Sequence, residues 1–243
     1  MSNQIVGNSL IRVGEDTPLP ERDSNDFYPT PWSVIEAALQ YAPTGPGLTV
    51  ADIGAGSGRW GQVFKATRRN PNVVGFEKQN IPPHPDYYKW ITGDVLDTLK
   101  DYGHHYYHFN AIFGNPPFYL YSTKYVRQFF DALYNALWVG GRLVLFGRSA
   151  IAESAARYRA VFSSWKPLYE IVCVDRVSFY VEGHPRCGDS NATAHSIFVW
   201  ERGLDGPTEK LWLKGADNDD KYTGQFKGQN TWQDMIQLGL VKE

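Results

Sequence analysis

Apolar residues occur along the chain in seven short runs that are rich in β-branched side chains and bounded by turn-forming or polar residues. Runs of this length and composition are typical of buried β-strands. The predicted strands span residues 48–54, 72–78, 88–94, 109–116, 141–149, 168–176 and 195–202.

Segments with helical spacing of apolar residues separate several of these strands. They span residues 33–41, 59–69 and 123–138, and the first begins shortly after Pro31. Strands that alternate with helices indicate a parallel sheet covered by helices on both faces. The pattern therefore predicts an α/β fold.

Polarity divides the chain into three parts. Residues 1–25 are polar, contain two prolines and lack periodicity, which predicts a flexible N-terminal arm. Residues 26–202 contain every predicted strand and form the expected ordered domain. Residues 203–243 carry Trp212, Tyr222 and Trp232 among many polar residues, so we expect an irregular C-terminal extension packed on that domain.

The composition limits the classes of function. Hydrophobic residues make up 42% of the chain and charged residues 21%, which is ordinary for a globular protein. No apolar run is long enough to span a membrane, and the first residues lack the apolar core of a secretory signal. We therefore expect a cytoplasmic protein in which Cys173 and Cys187 remain thiols.

The histidines of residues 104–108 and the pair His184–Cys187 lack zinc-site spacing, so no metal site is predicted.

A glycine-rich turn follows the first predicted strand. Gly54, Gly56 and Gly58 have the spacing G-x-G-x-G, and Asp52 stands two residues before the first of them. Glycines in a turn between a strand and a helix let the backbone approach a ligand closely. A carboxylate at Asp52 would repel a pyrophosphate but suits a ligand that carries an ammonium group.

Acidic residues end the next two predicted strands. Glu77 can accept hydrogen bonds from both hydroxyls of a ribose, and Asp94 lies where an adenine ring would rest along the sheet edge. Together with the glycine turn they predict a site for an adenosine that carries an amino-acid tail.

The fourth predicted strand ends in Asn115-Pro116-Pro117-Phe118. The amide oxygen of Asn115 and the carbonyl of Pro116 can accept the two N–H bonds of an exocyclic amine, which concentrates electron density on its nitrogen. The prolines keep the segment extended, and Phe118 offers an aromatic face for a flipped base. The motif is typical of amine methylation.

These motifs resemble those of a known family. ADIGAGSG, FEK and TGD resemble the first three motifs of class I, Rossmann-like S-adenosylmethionine-dependent methyltransferases, and NPPF resembles the fourth motif of adenine-N6 methyltransferases. Residues 26–31 resemble the cofactor-contacting segment of phage-type DNA adenine-N6 methyltransferases. The resemblance covers residues 26–202 and implies a seven-stranded, mostly parallel sheet with helices on both faces, S-adenosyl-L-methionine as cofactor, and a catalytic domain over that range.

Site residues follow from the motifs and from the resemblance. The expected catalytic residues are Asn115, Pro116, Pro117 and Phe118. The expected cofactor-binding residues are Tyr28, Thr30, Pro31, Asp52, Gly54, Gly56, Gly58, Glu77, Lys78, Asp94 and Asn115. The expected substrate-binding residues are Phe118, Tyr119, Phe179, Arg59, Lys124 and Arg127.

Adenine in DNA is the favoured substrate, with RNA as a possible partner. The net charge of -2 gives no global attraction to nucleic acid, so binding would need a local patch such as residues 59–69 or 124–127. The chain has no separate block for reading base edges, which predicts loose sequence specificity. Three alternatives remain open: methylation of RNA at adenine-N6 or guanine-N2, methylation of glutamine-N5 in a protein, and a non-catalytic cofactor- or nucleic-acid-binding subunit.

Overall fold

The computed structural model describes residues 3–6, 9–12, 27–105, 108–189, 192–216 and 225–242. An eight-stranded sheet forms its centre. The strands are β3 (Thr49–Ile53), β4 (Asn72–Glu77), β5 (Lys89–Thr92), β6 (Phe109–Gly114), β7 (Leu137–Arg148), β8 (Tyr169–Cys173), β9 (His195–Glu201) and β10 (Glu209–Leu213). Two further strands, β1 (Asn3–Val6) and β2 (Ser9–Arg12), form a separate antiparallel pair.

The strand order in the large sheet is β10-β8-β9-β7-β6-β3-β4-β5. Every neighbouring pair is parallel except the two pairs made by β9. The predicted α/β fold with a mostly parallel sheet is therefore confirmed, and all seven predicted strands belong to it. The strand number differs, because β10 from the C-terminal extension pairs in parallel with β8 and adds an eighth strand at the edge.

Helices cover both faces of the sheet. They are α1 (Trp32–Ala38), α2 (Arg59–Ala66), α3 (Val95–His105), α4 (Val126–Ala136), α5 (Ala155–Arg157), which continues into a π-helical turn at Tyr158–Phe162, and α6 (Trp232–Gln237). In α4 the buried residues recur with helical spacing, which gives this helix one apolar face towards the sheet.

Successive side chains of each strand point to opposite faces, which divides the core into two clusters. Ala51 and Ile53 pack in the cluster that includes residues of α3 and α4, whereas Val50 packs in the cluster with α1 and α2. Asp52 therefore lies on the face covered by α1 and α2, where it is fully buried.

The two ends of the chain contain more regular structure than the sequence analysis predicted. The β1–β2 pair lies within the segment expected to be a loose arm. In the C-terminal extension, Met235 of α6 packs in a third apolar cluster with Ile81, Val181 and Phe27. None of the described helices is long and apolar enough to cross a membrane.

Candidate functional site

A cavity of about 380 Å³ opens at the carboxyl edge of β3, β4 and β6. In parallel α/β sheets ligands bind at this edge, where the strand order reverses. Its wall combines the glycine turn, the end of β4, the Asn-Pro-Pro segment and the chain that precedes α1. Its lining includes Phe27, Tyr28, Thr30, Gly54, Gly56, Arg59, Glu77, Lys78, Asn115, Pro117, Tyr119 and Leu120.

The glycine turn requires glycine at each predicted position. Gly54, Gly56 and Gly58 have φ angles of +74°, +50° and +82°, which side chains other than glycine rarely adopt. A Cβ atom on Gly56 would lie 2.5 Å from the Phe27 ring, and one on Gly58 would lie 2.4 Å from His84. A Cβ on Gly54 would meet nothing closer than 3.8 Å, so at this position the positive φ alone favours glycine.

Glu77 anchors the turn from the end of β4. One carboxylate oxygen accepts the backbone N–H of Gly56 at 2.8 Å, and the other accepts that of Gln79 at 2.8 Å. The side chain is buried and lines the cavity. Each carboxylate oxygen has capacity for a further hydrogen bond, so Glu77 presents two fixed acceptors to a ligand.

Arg59, the first residue of α2, lies in the same cavity wall. It is 8% exposed, its guanidinium lies 4.1 Å from the centre of the Trp32 ring, and its Nη1 donates to the carbonyl of Thr30 at 3.1 Å. The sequence analysis assigned Arg59 to a nucleic-acid surface. The structure places it in the wall of the cavity that Glu77 also lines, because the first turn of α2 faces the sheet edge.

Asn115 is held in one orientation by the chain that precedes α1. Its side-chain Nδ2 donates to the carbonyl of Tyr28 at 2.9 Å, which directs Oδ1 away from that carbonyl. Within the described part of the chain, Oδ1 accepts no hydrogen bond. The amide oxygen is therefore a fixed acceptor at the point where two cavities meet.

The second cavity has a volume of about 70 Å³ and shares Tyr28, Asn115 and Pro117 with the first. Its other lining residues are Pro116, Phe118, Tyr121, Gly147, Arg148, Phe179 and His195. The structure thus brings the four residues of the Asn-Pro-Pro-Phe motif together with Phe179. The Arg148 guanidinium lies 4.3 Å from the centre of the Phe118 ring.

His195 adds an uncharged acceptor to this cavity. Its Nδ1 lies 2.9 Å from the Thr193 carbonyl, which can only accept, so Nδ1 carries the proton. Burial, with smaller contributions from Arg148 and Arg176, lowers the pKa of His195 to about 4, against the opposing effect of the Thr193 carbonyl. The imidazole is therefore neutral at pH 7.

Asp52 does not line either cavity. Tyr87 donates its hydroxyl proton to Asp52 Oδ2 at 2.5 Å and accepts the backbone N–H of Gly61, so the carboxyl group is enclosed beneath α2. Burial raises the pKa of Asp52 to about 7, although the Tyr87 hydrogen bond acts in the opposite direction. The expected direct contact with an ammonium group is not available to this side chain.

Asp94 also lies behind the cavity wall. Its carboxylate accepts the Leu96 N–H at 3.0 Å and contacts Lys78 Nζ at 3.1 Å and the Tyr119 hydroxyl at 3.3 Å. Burial alone would raise its pKa, but these partners outweigh it and lower the pKa below the usual value. Asp94 thus positions Lys78 and Tyr119, which do line the cavity.

The remaining predicted residues lie outside both cavities. Pro31 precedes α1, and Gly58 precedes α2. Lys124 is exposed beside the Tyr125 ring, and Arg127 is paired with Asp131 at 2.9 Å. The side chains of His104 and His105 lie outside the described residues. Among the described side chains, no group of three or more His, Cys, Asp or Glu residues could hold a metal ion.

Three side chains that line the second cavity were not singled out from the sequence: those of Tyr121, Arg148 and His195. Arg148 ends β7 and pairs in register with His195, the first residue of the antiparallel strand β9. An antiparallel strand begins at the edge where its parallel neighbours end, so strand direction was the signal that could have found both.

No protein-family model and no curated protein matches the chain. Solved structures share its fold. One is a Listeria monocytogenes protein assigned to the class I S-adenosylmethionine-dependent methyltransferases, with a TM-score of 0.55, 11% identity, and coverage of 80% of this chain and 68% of that one. Another is the EcoKI M protein of a type I restriction enzyme, with a TM-score of 0.52, 12% identity, and coverage of 78% and 49%.

An Agrobacterium tumefaciens protein assigned as an O-methyltransferase gives a TM-score of 0.50 at 16% identity, over 76% of this chain and 86% of that one. The chain spans about half the length of the EcoKI M protein. The fold is therefore the Rossmann-like fold of class I S-adenosylmethionine-dependent methyltransferases, as the motifs predicted.

Proposed function

We propose that the chain is an S-adenosylmethionine-dependent methyltransferase that transfers a methyl group to the exocyclic N6 amine of adenine in DNA. The observation that carries the proposal is the fixed Oδ1 of Asn115 at the junction of the two cavities. The larger cavity has a volume and polar side chains that suit the cofactor. The smaller cavity is lined by Phe118 and Phe179, whose rings suit a planar base.

The larger cavity fits S-adenosyl-L-methionine in volume and chemistry. Its 380 Å³ fall within the range of about 300–1,000 Å³ for small-molecule sites. Glu77 supplies acceptors for the two ribose hydroxyls, and Ile53, Phe76 and Leu120 supply an apolar wall for the adenine ring. The Arg59 guanidinium, which lines this cavity, would contact the carboxylate of the methionine moiety.

The bound cofactor would supply an electrophilic methyl group on a sulfonium. Asn115 Oδ1 and the Pro116 carbonyl would accept the two N–H bonds of the target amine and favour its pyramidal form. The amine nitrogen then attacks the methyl carbon, the S–C bond breaks with its electron pair left on sulfur, and one proton leaves the nitrogen for solvent. Because Asn115 is already held by Tyr28, its orientation costs little at the moment of reaction.

Charge around the second cavity supports a nucleic-acid substrate. Its lining contains no Asp or Glu among the described residues, while Arg148 lines it and the exposed Arg176 lies close enough to lower the His195 pKa. These cations suit the phosphates that flank a flipped nucleotide. The ring faces of Phe118 and Phe179 suit a planar base better than a glutamine side chain.

Tritiated S-adenosylmethionine tests the proposal directly. The purified chain is incubated with duplex DNA, RNA and a protein extract in parallel, and the labelled product is digested and identified by mass spectrometry. N6-methyladenine from DNA is the expected product. Label in RNA, in guanine or in glutamine would identify a different substrate for the same amine chemistry, whereas no transfer with intact cofactor binding would indicate a non-catalytic subunit.

We also propose a short or loose sequence preference. Base readout needs a surface that reaches base edges in a groove. Around the second cavity, the loop that follows β8 is the main candidate, and it is small. Sequencing DNA methylated to completion checks this, and a strictly defined site of about six base pairs or longer would contradict it.

A further inference from the structure

The hydroxyl of Tyr121 is a buried polar group that makes no hydrogen bond within the described part of the chain. The residue is 2% exposed. Its ring packs edge-on against Phe129 and Phe130, with ring centres 6.0 and 6.4 Å apart, and lies 6.0 Å from Phe118. The aromatic contacts fix the ring and therefore the direction of the hydroxyl.

A phenylalanine would fill the same space among these rings. Leaving a buried hydroxyl without a partner costs about 1–3 kcal/mol, and native proteins contain few such groups. The hydroxyl of Tyr121 therefore has no use in packing the core. A ligand that supplies the missing hydrogen bond would explain its presence.

The position of the hydroxyl identifies where that ligand would lie. Tyr121 lines the second cavity together with the Asn-Pro-Pro-Phe segment, and a Cβ atom placed on Gly147, another lining residue, would be 4.0 Å from the Tyr121 oxygen. The hydroxyl therefore lies beside Gly147 at the end of β7, next to residues that line this cavity. Asn115 lies in the same cavity.

We propose that the Tyr121 hydroxyl donates a hydrogen bond to a ring nitrogen of the target base and positions its exocyclic amine against Asn115. This inference rests on the proposed function. The ring nitrogens N1, N3 and N7 of adenine are acceptors, and its only donor is the N6 amine, which Asn115 and Pro116 would engage. Tyr121 would then be a positioning residue, because it holds the base while Asn115 acts on the amine.

Burial keeps Tyr121 in the donor form. It raises the pKa of the hydroxyl well above its usual value, so the group retains its proton at every pH at which the protein is handled. A fixed donor discriminates between an acceptor nitrogen and a C–H group at the same place, because the C–H leaves the hydroxyl unpaired.

Atomic substitution in the DNA, combined with Tyr121→Phe, tests the contact. Duplexes carry adenine, 1-deazaadenine, 3-deazaadenine or 7-deazaadenine at the target position, and kcat/KM is measured for the native chain and for the variant. We expect one analogue to lower kcat/KM of the native chain about 2–13-fold, a range set by the net energy of a buried hydrogen bond. Tyr121→Phe should lose a similar factor on adenine and be insensitive to that one analogue.

Two controls separate positioning from structure. Tyr134→Phe removes a hydroxyl from the neighbouring helix α4, outside both cavities, and should leave kcat/KM and the analogue pattern unchanged. The melting temperature of Tyr121→Phe should equal or exceed that of the native chain, because the variant loses an unpaired buried group. A marked fall in melting temperature would show a structural role and overturn the inference.

The outcomes also separate this inference from the proposed function. If the native chain methylates adenine but Tyr121→Phe retains the full kcat/KM and the same analogue pattern, the inference is wrong and the proposed function stands. If no analogue lowers kcat/KM of the native chain, the same conclusion follows without any variant. If the native chain methylates no nucleic-acid base, both are wrong.

Discussion

The side-chain amide of Asn115 donates to the backbone carbonyl of Tyr28 at 2.9 Å, although the two residues are 87 positions apart in the chain. The bond joins the end of β6 to the segment that enters α1. Both residues line the two cavities, so this single contact sets the geometry of the junction between them. It also determines which atom of the amide faces a substrate.

Asn115→Ala should abolish most turnover and leave cofactor affinity nearly unchanged. We expect a loss of about 10²–10³ in kcat, as for removal of one preorganised polar contact in an active site. Asn135→Ala, an exposed asparagine on α4, serves as the matched control and should keep full activity. Single-turnover methylation and calorimetric titration with S-adenosylmethionine measure the two quantities, and near-normal turnover would remove Asn115 from the chemistry.

Glu77→Ala should weaken cofactor binding by about 1.5–3 kcal/mol, the usual range for hydrogen bonds to a charged acceptor. The side chain also holds the N–H of Gly56 and of Gln79, so its loss loosens the glycine turn as well. Glu153→Ala, an exposed glutamate beyond β7, is the control. Isothermal titration measures both affinities, and an unchanged dissociation constant in a folded Glu77→Ala protein would show that the ribose binds elsewhere.

The site residues that end a strand could be predicted from the sequence alone, because all parallel strands of a sheet end at one edge. Gly54, Glu77 and Asn115 follow or end three such strands, and they meet in one cavity. The predicted contact between Asp52 and a ligand ammonium group was wrong. Strand alternation points this side chain under α2, where it accepts a hydrogen bond from Tyr87. Tyr121 could not be found from the sequence, because its role depends on a hydrogen bond that the core fails to provide.

The stability of the protein should depend on pH through Asp52. Its pKa is raised to about 7 in the folded chain, mainly by burial, against 3.8 as its ordinary value. The folded state therefore holds a proton that the unfolded state releases, and stability falls as pH rises from about 4 to about 7, by at most about 1.4 kcal/mol per pH unit. Below that window both states are protonated, and above it both are ionised.

Asp52→Asn removes this titration and keeps an acceptor for Tyr87. Relative to the native chain, the variant should gain stability progressively as pH rises from about 4 to about 7, and the difference should level off above that. Urea unfolding at four pH values gives the difference between the two proteins, in which the other ionisable groups cancel. A difference that is constant over this range would contradict the raised pKa.

Met235→Ala should destabilise the protein by about 2–3 kcal/mol and also weaken cofactor binding. Met235 is completely buried in the cluster that contains Phe27, and Phe27 packs against Gly56 of the cofactor turn. Replacing a buried methionine by alanine leaves a cavity whose cost is of this order. Gln237→Ala, an exposed position on the same helix, is the control. Chemical unfolding with and without S-adenosylmethionine measures both effects. Full cofactor affinity in Met235→Ala would show that the C-terminal helix does not support the site.

The salt dependence of DNA binding should identify which cations contact phosphate. Arg176 is exposed and lies near His195 of the second cavity, whereas Arg68 lies at the end of α2. Because α2 runs back from the carboxyl edge of the sheet, its end lies at the opposite edge, where Arg69 bonds to Thr44 ahead of β3. A cation there is remote from both cavities.

Each phosphate that a cation neutralises on duplex DNA contributes about 0.9 to the slope of log K against log salt concentration. Arg176→Gln should therefore lower the slope by about 0.9, weaken binding at low salt and leave kcat at saturating DNA unchanged. Arg68→Gln should change neither the slope nor the affinity. Fluorescence anisotropy with a labelled duplex at several salt concentrations gives both slopes. If Arg68→Gln lowers the slope and Arg176→Gln does not, DNA binds to the opposite edge of the sheet, and the second cavity is not where the base enters.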